Sequence, residues 1–456
     1  MPLRSILPLS LCLLLSLSPA ALASGAGTTP PKPNIVYILA DDMGYADAGF
    51  NGGTDIKTPH LDQLAREGAI LKSFYAQPVC SPTRAALLTG RYPSHTGVYG
   101  VVRPNAPWGL KLEERTLPQA LREAGYETAI VGKWHLGESD AAYLPTRRGF
   151  DHQYGLWFGN IDYFTHLRDG VLDWHRNDQP SQDEGYTTHL IAREAVQRIR
   201  AKKSSQPLFL YVAFNAVHDP HQVPDSYLAP YAHLEGVRRT YAGMLAAMDE
   251  GIGQILTSLD QSGLRENTLV IFSSDNGGPQ PGKVTSNIPL RAGKATIYEG
   301  GVRVCASVRW PGRITAGSVV HEPLHIVDWF PTLLKLAGAP SAQPLPVDGR
   351  DLWPTLTQGA KSPHETLLLC GTQPGVAAIR AGDWKLLLGA GGKKDSEQVE
   401  LYDLAHDIGE KNNLAAAHPE KVRELRAHYE FFQKTAVPSG EKPLATAQKN
   451  KPQSTP

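Results

Sequence analysis

The chain has 456 residues, enough for two to four domains or for one large α/β domain with a small companion. Hydrophobic residues make up 41% of the chain, which excludes disorder throughout and provides a sizeable core. Lys and Arg together number 45, as do Asp and Glu, so the zero net charge provides no global field for nucleic acid or an anionic membrane.

An apolar stretch opens the chain. Arg4 precedes an apolar run over residues 6–17, and small residues follow as far as Ala23. This pattern predicts a secretory signal peptide over residues 1–23. A membrane anchor is the alternative, but prolines interrupt the run, which is short for a spanning helix. No later segment has about 18 consecutive apolar residues, so we expect an exported protein without stable membrane insertion. The absence of an Asn-x-Ser/Thr sequon favours a bacterial periplasm or the extracellular space over a glycosylated eukaryotic compartment.

Strand-like and helix-like segments alternate after a Pro-, Gly- and Thr-rich spacer over residues 24–33. This alternation predicts an α/β domain over residues 34–350, in which helices flank a mostly parallel sheet. The apolar runs typical of buried strands are 35–40, 128–131, 208–214 and 268–272. Capping residues predict helices directly after Thr58 and over residues 116–124, 241–262 and 328–337.

A smaller unit is predicted over residues 366–434, beyond a Pro-rich stretch at 339–346. Strands at 377–380 and 384–388 and a final helix at 418–432 indicate a small antiparallel sheet with one helix. The tail over residues 439–456 is rich in Lys, Gln, Pro and Thr, so we expect it to be disordered.

Polar residues follow each of the four predicted buried strands. They are Asp41 and Asp42 after the first, Lys133 and His135 after the second, His218 after the third, and Asp275 and Asn276 after the fourth. We expect them to meet, because ligands bind beyond the carboxyl ends of parallel strands. The acidic pairs supply oxygen ligands that suit Ca²⁺ or Mg²⁺, although each pair alone is also typical of a capped turn.

A set of cationic side chains would surround this metal site and bind an anionic tetrahedral group. Its members are Arg84, Lys133, His135, His218 and Lys294. Cys80 lies just before a short helix opened by Pro82, where a helix N-terminus favours a reactive thiolate. A buried structural cysteine is the simpler interpretation of the same position.

The segment from Cys80 to Gly90 resembles the sulfatase signature, in which Pro, Arg and a Thr-Gly pair follow a Cys or Ser at fixed spacing. In that family a dedicated maturation enzyme converts the cysteine to Cα-formylglycine. The resemblance covers residues 34–414 and lies closest to the arylsulfatase B type, the N-acetylgalactosamine 4-sulfatases. Other matching stretches are 41–44, 132–137, 144–151, 217–220, 241–250, 274–278 and 289–302.

The resemblance implies an alkaline-phosphatase-like fold and a sulfuric ester hydrolase with a formylglycine hydrate as nucleophile and a covalent sulfo-enzyme. It implies two partners, the maturation enzyme and a sulfated glycan substrate, with a galactose or N-acetylgalactosamine 4-sulfate type favoured. The implied metal is Ca²⁺ rather than Mg²⁺, and its ligands are Asp41, Asp42, the modified Cys80, Asp275 and Asn276. The implied sulfate contacts are Lys133, His135, His218 and Lys294.

The resemblance also implies a role for each of these residues in the reaction. Arg84 would hold the formylglycine, and Asp275 would be the base for the attacking hydroxyl. His218 or Lys294 would assist the leaving oxygen, and His135 would later take a proton from the second hydroxyl.

Two other functions use the same residues. A phosphatase or phosphonate monoester hydrolase would use the same metal edge, but the sequence does not reveal the second metal site that such enzymes often carry. A catalytically silent glycan-binding protein would require an unmodified Cys80. Candidate sugar platforms, each as typical of packing, are Trp108, Trp157, Tyr163, His166 and Trp174.

Overall fold

The computed structural model describes residues 31–203, 205–390 and 399–441. The predicted signal peptide (1–23), the spacer as far as residue 30 and the predicted disordered tail beyond residue 441 lie outside the described residues. The described residues from Lys32 onward form one compact unit. Their division into a catalytic domain over 34–350 and a smaller unit over 366–434 stays a prediction.

The largest feature is a ten-stranded mixed sheet, in which the order of strands is β13-β2-β12-β11-β1-β10-β4-β5-β8-β9. The strands of the described residues are β1 (Asn34–Ala40), β2 (Ala69–Leu71), β3 (Phe74–Tyr75), β4 (Glu127–Gly132), β5 (His152–Gly155), β6 (Leu167–Arg168), β7 (Val171–Leu172), β8 (His175–Arg176), β9 (Gln179–Pro180), β10 (Leu208–Ala213), β11 (Thr268–Ser274), β12 (Ala306–Arg309), β13 (Ser318–Val320), β14 (Leu324–His325), β15 (Leu367–Cys370), β16 (Ala377–Ala381), β17 (Trp384–Leu388) and β18 (Val399–Asp403).

The centre of this sheet is parallel. Strand β1 pairs in parallel with β10 on one side and β11 on the other, and β10 continues to β4 and β5. The antiparallel pairs lie towards the edges, at β11 with β12 and at β5 with β8. The four predicted strands are these central strands, so the predicted α/β class with a mostly parallel sheet is confirmed.

Helices cover both faces of the sheet. They are α1 (Pro59–Arg66), α2 (Cys80–Thr89), α3 (Pro93–Thr96), α4 (Leu117–Glu123), α5 (Thr187–Ala201), α6 (Gly236–Gln261), α7 (Glu299–Val302), α8 (Trp329–Ala337), α9 (Trp353–Gln358) and α10 (Pro419–Gln433). Alternate residues of β1 enter opposite cores, since Tyr37 packs in the core with α2, α4 and α8, and Ile38 in the core with α1, α5 and α6. None of the helices in the described ranges is long and apolar enough to cross a membrane.

The C-terminal part of the described chain forms the predicted small antiparallel sheet. Strands β15, β16, β17 and β18 pair in that order, and α10 packs against β16. Leu368, Ile379 and Leu386 of this sheet belong to the same apolar core as α2 and α8. The small sheet and the helix that begins at Cys80 therefore share one apolar core.

Candidate active site

The carboxyl ends of β11, β1, β10 and β4 lie side by side, and backbone hydrogen bonds continue beyond the strands. The N–H of Asp275 donates to Ala40 O at 2.9 Å, and that of Lys133 donates to Ala213 O at 2.8 Å. The predicted meeting of the strand-end residues is therefore found. The structure brings together every predicted site residue: Asp41, Asp42, Cys80, Arg84, Lys133, His135, His218, Asp275, Asn276 and Lys294.

Helix α2 delivers two of these residues from outside the sheet. It begins at Cys80 itself, so Cys80 is its first residue and not the residue before a helix opened by Pro82. The thiol donates to Asp41 Oδ1 at 3.3 Å. One turn later, Arg84 donates to Asp275 Oδ2 and to Lys133 O, both at 3.0 Å. The helix therefore joins the ends of three strands.

The buried acidic residues have the donor chemistry of a hard cation site. Ligand atoms of Asp41, Asp42, Cys80 and His218 all lie within 4.8 Å of one another. Asn276 donates from Nδ2 to Asp42 Oδ1 at 2.7 Å, while its Oδ1 is buried without a hydrogen-bond partner among the described residues. An unpaired buried amide oxygen beside carboxylate oxygens fits Ca²⁺ or Mg²⁺ coordination.

Besides Arg84, three of the predicted cations contact these carboxylates directly. Lys133 Nζ donates to Asp41 Oδ2 at 2.5 Å, and Lys294 Nζ donates to Asp42 Oδ2 at 2.6 Å. His218 Nε2 lies 3.5 Å from the same Asp42 oxygen. Positive charge is therefore concentrated around the cluster in a chain with no net charge, as an anion site requires.

Burial and neighbouring charges shift the pKa values of Asp41 and Asp275 in opposite directions. Burial alone would raise the pKa of Asp41, but Lys133, His218 and Arg84 hold that pKa below its usual range. Burial raises the pKa of Asp275 to about 7, and the carboxylate of Asp41 adds to this effect. Two acids at one edge thus have separated pKa values, an arrangement typical of reactive sites.

Cys80 and His135 are both held in their neutral forms. Burial, followed by the carboxylates of Asp275 and Asp41, raises the pKa of the Cys80 thiol well above its usual value. This direction is opposite to the one that a reactive thiolate needs. Burial, with the charges of Lys133 and Arg84, lowers the pKa of His135 well below its usual value.

Two site residues have a left-handed backbone, which the sequence did not indicate. The φ angles of Asp42 and His135 are +65° and +59°, uncommon for residues other than glycine. Such conformations cluster at functional sites, where the surrounding structure enforces them. Asp42 lies two residues beyond β1, and His135 lies three residues beyond β4.

Several supporting residues were missed by sequence reasoning. Thr83 donates to Asp275 O at 2.6 Å and accepts from Gln77 N, so it ties α2 to the end of β11. Ser274 accepts from Met43 N at 3.0 Å and so links two strand ends. The available signal was the place of each residue in a matching stretch, since Thr83 lies inside the signature and Ser274 opens the 274–278 stretch.

Three of the five candidate sugar platforms are buried, and two are partly exposed. Tyr163, His166 and Trp174 are buried and pack with other aromatic rings, so their packing interpretation is correct. Trp108 and Trp157 are partly exposed. Trp157 stacks on His175 with ring centres 3.5 Å apart, and its carbonyl accepts the N–H of His135 at 3.0 Å.

Comparison with known proteins agrees with this geometry. The sulfatase family model matches residues 33–339. Arylsulfatase J of Mus musculus is 37% identical over 91% of this chain and 78% of its own length. The N-acetylgalactosamine-6-sulfatase of Mus musculus is 38% identical over 74% of this chain and 68% of its own length.

The solved structure of Ps i-CgsB in complex with k-i-k-neocarrahexaose is similar over 90% of this chain and 94% of that chain. Its TM-score is 0.83 and its sequence identity 33%, so the predicted alkaline-phosphatase-like fold is confirmed. The family match covers more than half of the chain and includes Cys80 and the four strand ends. The chain therefore belongs to the sulfatase family and is a sulfuric ester hydrolase.

Proposed function

We propose that this sulfatase acts on a sulfated carbohydrate, with a galactose or N-acetylgalactosamine 4-sulfate type favoured. The names of two similar proteins support a sugar substrate, since one is an N-acetylgalactosamine-6-sulfatase and the other was solved with k-i-k-neocarrahexaose. The N-terminal pattern of a charged residue, an apolar run and small residues supports export.

The observation that carries the proposal is the position of Cys80. It is the first residue of α2, its thiol contacts Asp41, and Arg84 follows one helical turn later among the site cations. We propose that a maturation enzyme converts Cys80 to formylglycine. The hydrated aldehyde would supply the hydroxyl that attacks sulfur, a role for which a buried neutral thiol is poorly suited.

Four side chains would hold a divalent cation together with the modified residue 80, with Ca²⁺ preferred to Mg²⁺. They are Asp41, Asp42, Asp275 and Asn276. The bound cation would neutralise the carboxylates and polarise sulfate oxygens. Two features support this assignment. The Oδ1 of Asn276 is unpaired, and all four side chains offer oxygen atoms as ligands.

The remaining residues handle charge and protons. Lys133 Nζ and Arg84 lie at the buried side, where Lys133 neutralises the sulfate and Arg84 holds the formylglycine. Asp275 takes the proton of the attacking hydroxyl, and Lys294 Nζ stabilises the leaving oxygen. His218 Nε2 gives that oxygen a proton, a contribution of general acid catalysis.

His135 accepts a proton at a buried ring nitrogen in the later step that releases sulfate. Its Nδ1 has no hydrogen-bond partner in the described part of the chain, and the ring is held neutral. A neutral imidazole with a free nitrogen is able to accept a proton.

The proposal is tested by producing the protein with and without a formylglycine maturation enzyme. Mass spectrometry of the peptide that contains Cys80 reports the modification, and release of sulfate from sulfated galactose and N-acetylgalactosamine oligosaccharides reports activity. We expect turnover only in the modified preparation, and none in Cys80→Ala. Cys370→Ala, which removes a buried free cysteine of β15, is the matched control and should keep activity.

A fully active preparation with an intact thiol at Cys80 would overturn the formylglycine assignment. Faster release of phosphate than of sulfate from matched aryl esters would overturn the preference for sulfate. Activity on aryl sulfates alone, with none on any sulfated sugar, would overturn the proposed substrate class.

A further inference from the structure

A turn over residues 157–160, which follows β5, contacts His135 at two points. The N–H of His135 donates to Trp157 O at 3.0 Å. A Cβ atom placed on Gly159 would lie only 2.7 Å from both Cε1 and Nε2 of the His135 ring. The turn therefore touches the backbone and the imidazole of His135, so its position limits where the ring can lie.

Asp173 holds this turn in place. Its Oδ1 accepts the N–H of Trp157 at 3.0 Å, and its Oδ2 accepts the N–H of Phe158 at 2.7 Å. Asp173 is fully buried and lies between β7 and β8, outside the short matching stretches named in the sequence analysis. The ring of Trp157 stacks on His175, two residues further along, with only 3° between the ring planes.

The other end of the turn contacts the residue that follows His218, the second histidine of the site. Asn160 Nδ2 donates to Asp219 O at 3.3 Å, and the same carbonyl oxygen lies 2.6 Å from His218 Nδ1. One short segment therefore touches His135 and the residue after His218. A single carboxylate that fixes the segment acts on both.

We propose that Asp173 is a positioning residue, which sets the ring of His135 through the two N–H groups of the 157–160 turn. The proposal rests on the proposed function, in which His135 accepts a proton. Asp173 itself touches no reacting atom. A carboxylate accepts two N–H groups at once, whereas an amide offers one oxygen and presents its own N–H groups to the second donor. Asp173→Asn should therefore release one side of the turn and shift His135.

Two variants test the proposal from opposite sides of the turn. Asp173→Asn removes the support, and Gly159→Ala pushes a methyl group against the ring of His135. The matched control is Asp249→Asn, because Asp249 is also a buried carboxylate that accepts two successive N–H groups, those of His60 and Leu61. Asp249 lies on α6, away from the 157–160 turn.

The first measurement is independent of activity. The imidazole NMR signals of His135 are recorded in protein with unprocessed Cys80, and are assigned by their absence from His135→Ala. We expect both test variants to shift these signals and Asp249→Asn to leave them unchanged. Should Asp173→Asn fail to fold, the result for Gly159→Ala decides.

The second measurement uses formylglycine-containing protein. We expect kcat to fall about a hundredfold with KM within about twofold, the loss that a misplacement of about 1 Å can cause. The loss should appear with a nitrophenyl sulfate as well as with a sulfated sugar, because His135 acts after the alcohol has left. Unchanged His135 signals in folded test variants, or an equal shift in Asp249→Asn, would overturn the proposal. Wild-type protein that releases no sulfate would overturn the proposed function instead, while the NMR result would still decide the role of Asp173.

Discussion

His218 and Lys294 differ in exposure from the other cations of the site. Their side chains keep 13% and 20% of their surface, whereas those of Arg84 and Lys133 are fully buried. In the proposed reaction the leaving alcohol must reach solvent, so we expect its path to run past the partly exposed His218 and Lys294. The buried Arg84 and Lys133 are then left to hold the formylglycine and to neutralise the sulfate group.

This difference in exposure predicts a dependence on the leaving group. His218→Ala and Lys294→Ala should each slow hydrolysis of a sulfated sugar by about a hundredfold, because a sugar hydroxyl is a poor leaving group that needs a proton. The loss should be smaller for a nitrophenyl sulfate, whose phenolate leaves unaided. The measurement compares kcat/KM of each variant on both substrates.

The control for this comparison is His221→Ala, because His221 lies in the same segment but makes none of the site contacts described above. We expect it to keep near wild-type rates on both substrates. Equal losses on the sugar and the phenol for His218→Ala and Lys294→Ala would contradict the assigned roles, even with sulfatase activity intact.

At the scale of elements, the small C-terminal sheet supports the segment that carries Lys294. Helix α7 begins at Glu299 in this segment, and Lys385 of β17 donates to Glu299 Oε1 at 2.9 Å. Tyr75 of β3 donates to Glu299 Oε2 at 2.8 Å, and the backbone N–H of Glu299 donates to Glu410 at 2.6 Å. All these charged groups are buried, so the contact between sheet and segment depends on their pairing.

The ionisation of Glu299 predicts a loss of stability in acid. Burial opposes the charge, but Lys385, Arg303 and Arg380 hold the pKa of Glu299 at about 2, below its value of 4.5 in an unfolded chain. Glu299 therefore stabilises the fold above pH 4.5, and this contribution is lost as the pH falls from 4.5 towards 2. Glu299→Gln should be less stable at pH 7 and should lose less further stability in acid.

The measurement is urea unfolding of both proteins between pH 7 and pH 3. Glu365→Gln, at an exposed position, is the control and should follow the wild-type curve. Parallel curves for wild type and Glu299→Gln would show that Glu299 does not carry the charge of this cluster.

Elements with strong local patterns were predicted, and those that depend on distant partners were not. The four central strands are continuous apolar runs, and α4 begins with a capping box at Thr116. These local patterns were enough to predict the strands and the helix from the sequence. Helix α5 starts after Tyr186, which forms no side-chain cap, and it was not predicted. Helix α6 begins at Gly236, earlier than the predicted residue 241. Its first turn was missed because that turn is polar and half-exposed, so it lacks the apolar pattern of the rest of the helix.

For the whole molecule, the site residues come from positions as far apart as Asp41 and Lys294, and sequence reasoning still grouped them. It succeeded because parallel strands deliver their ends to one edge, and because the signature around Cys80 is long. Sequence reasoning did not identify Asp173 or Glu410, because their hydrogen-bond partners lie on distant segments that only the packing of the fold brings near. Their buried contacts have no local pattern that a sequence could reveal.

The fold should also be stabilised by the metal, because the candidate ligands come from the ends of the neighbouring strands β1 and β11 and from α2. A cation that binds only the folded state raises the unfolding free energy by about 2.7 kcal/mol at a hundredfold excess over its dissociation constant. We expect thermal unfolding to move upward with added Ca²⁺, less with Mg²⁺, and downward with a chelator. The measurement uses protein with unprocessed Cys80 as well as the active form, so that it does not depend on turnover.

Asn276→Ala should reduce the response to Ca²⁺, because it removes the unpaired amide oxygen without changing the charge of the site. Asp275→Ala should abolish the response together with activity, since it also removes a carboxylate that binds Arg84. Asp249→Asn, away from the candidate ligands, should keep the full upward shift. Full activity after exhaustive chelation, with no metal found by elemental analysis, would contradict the metal assignment, because the buried carboxylates would then have only Lys133, Lys294, Arg84 and His218 to balance them.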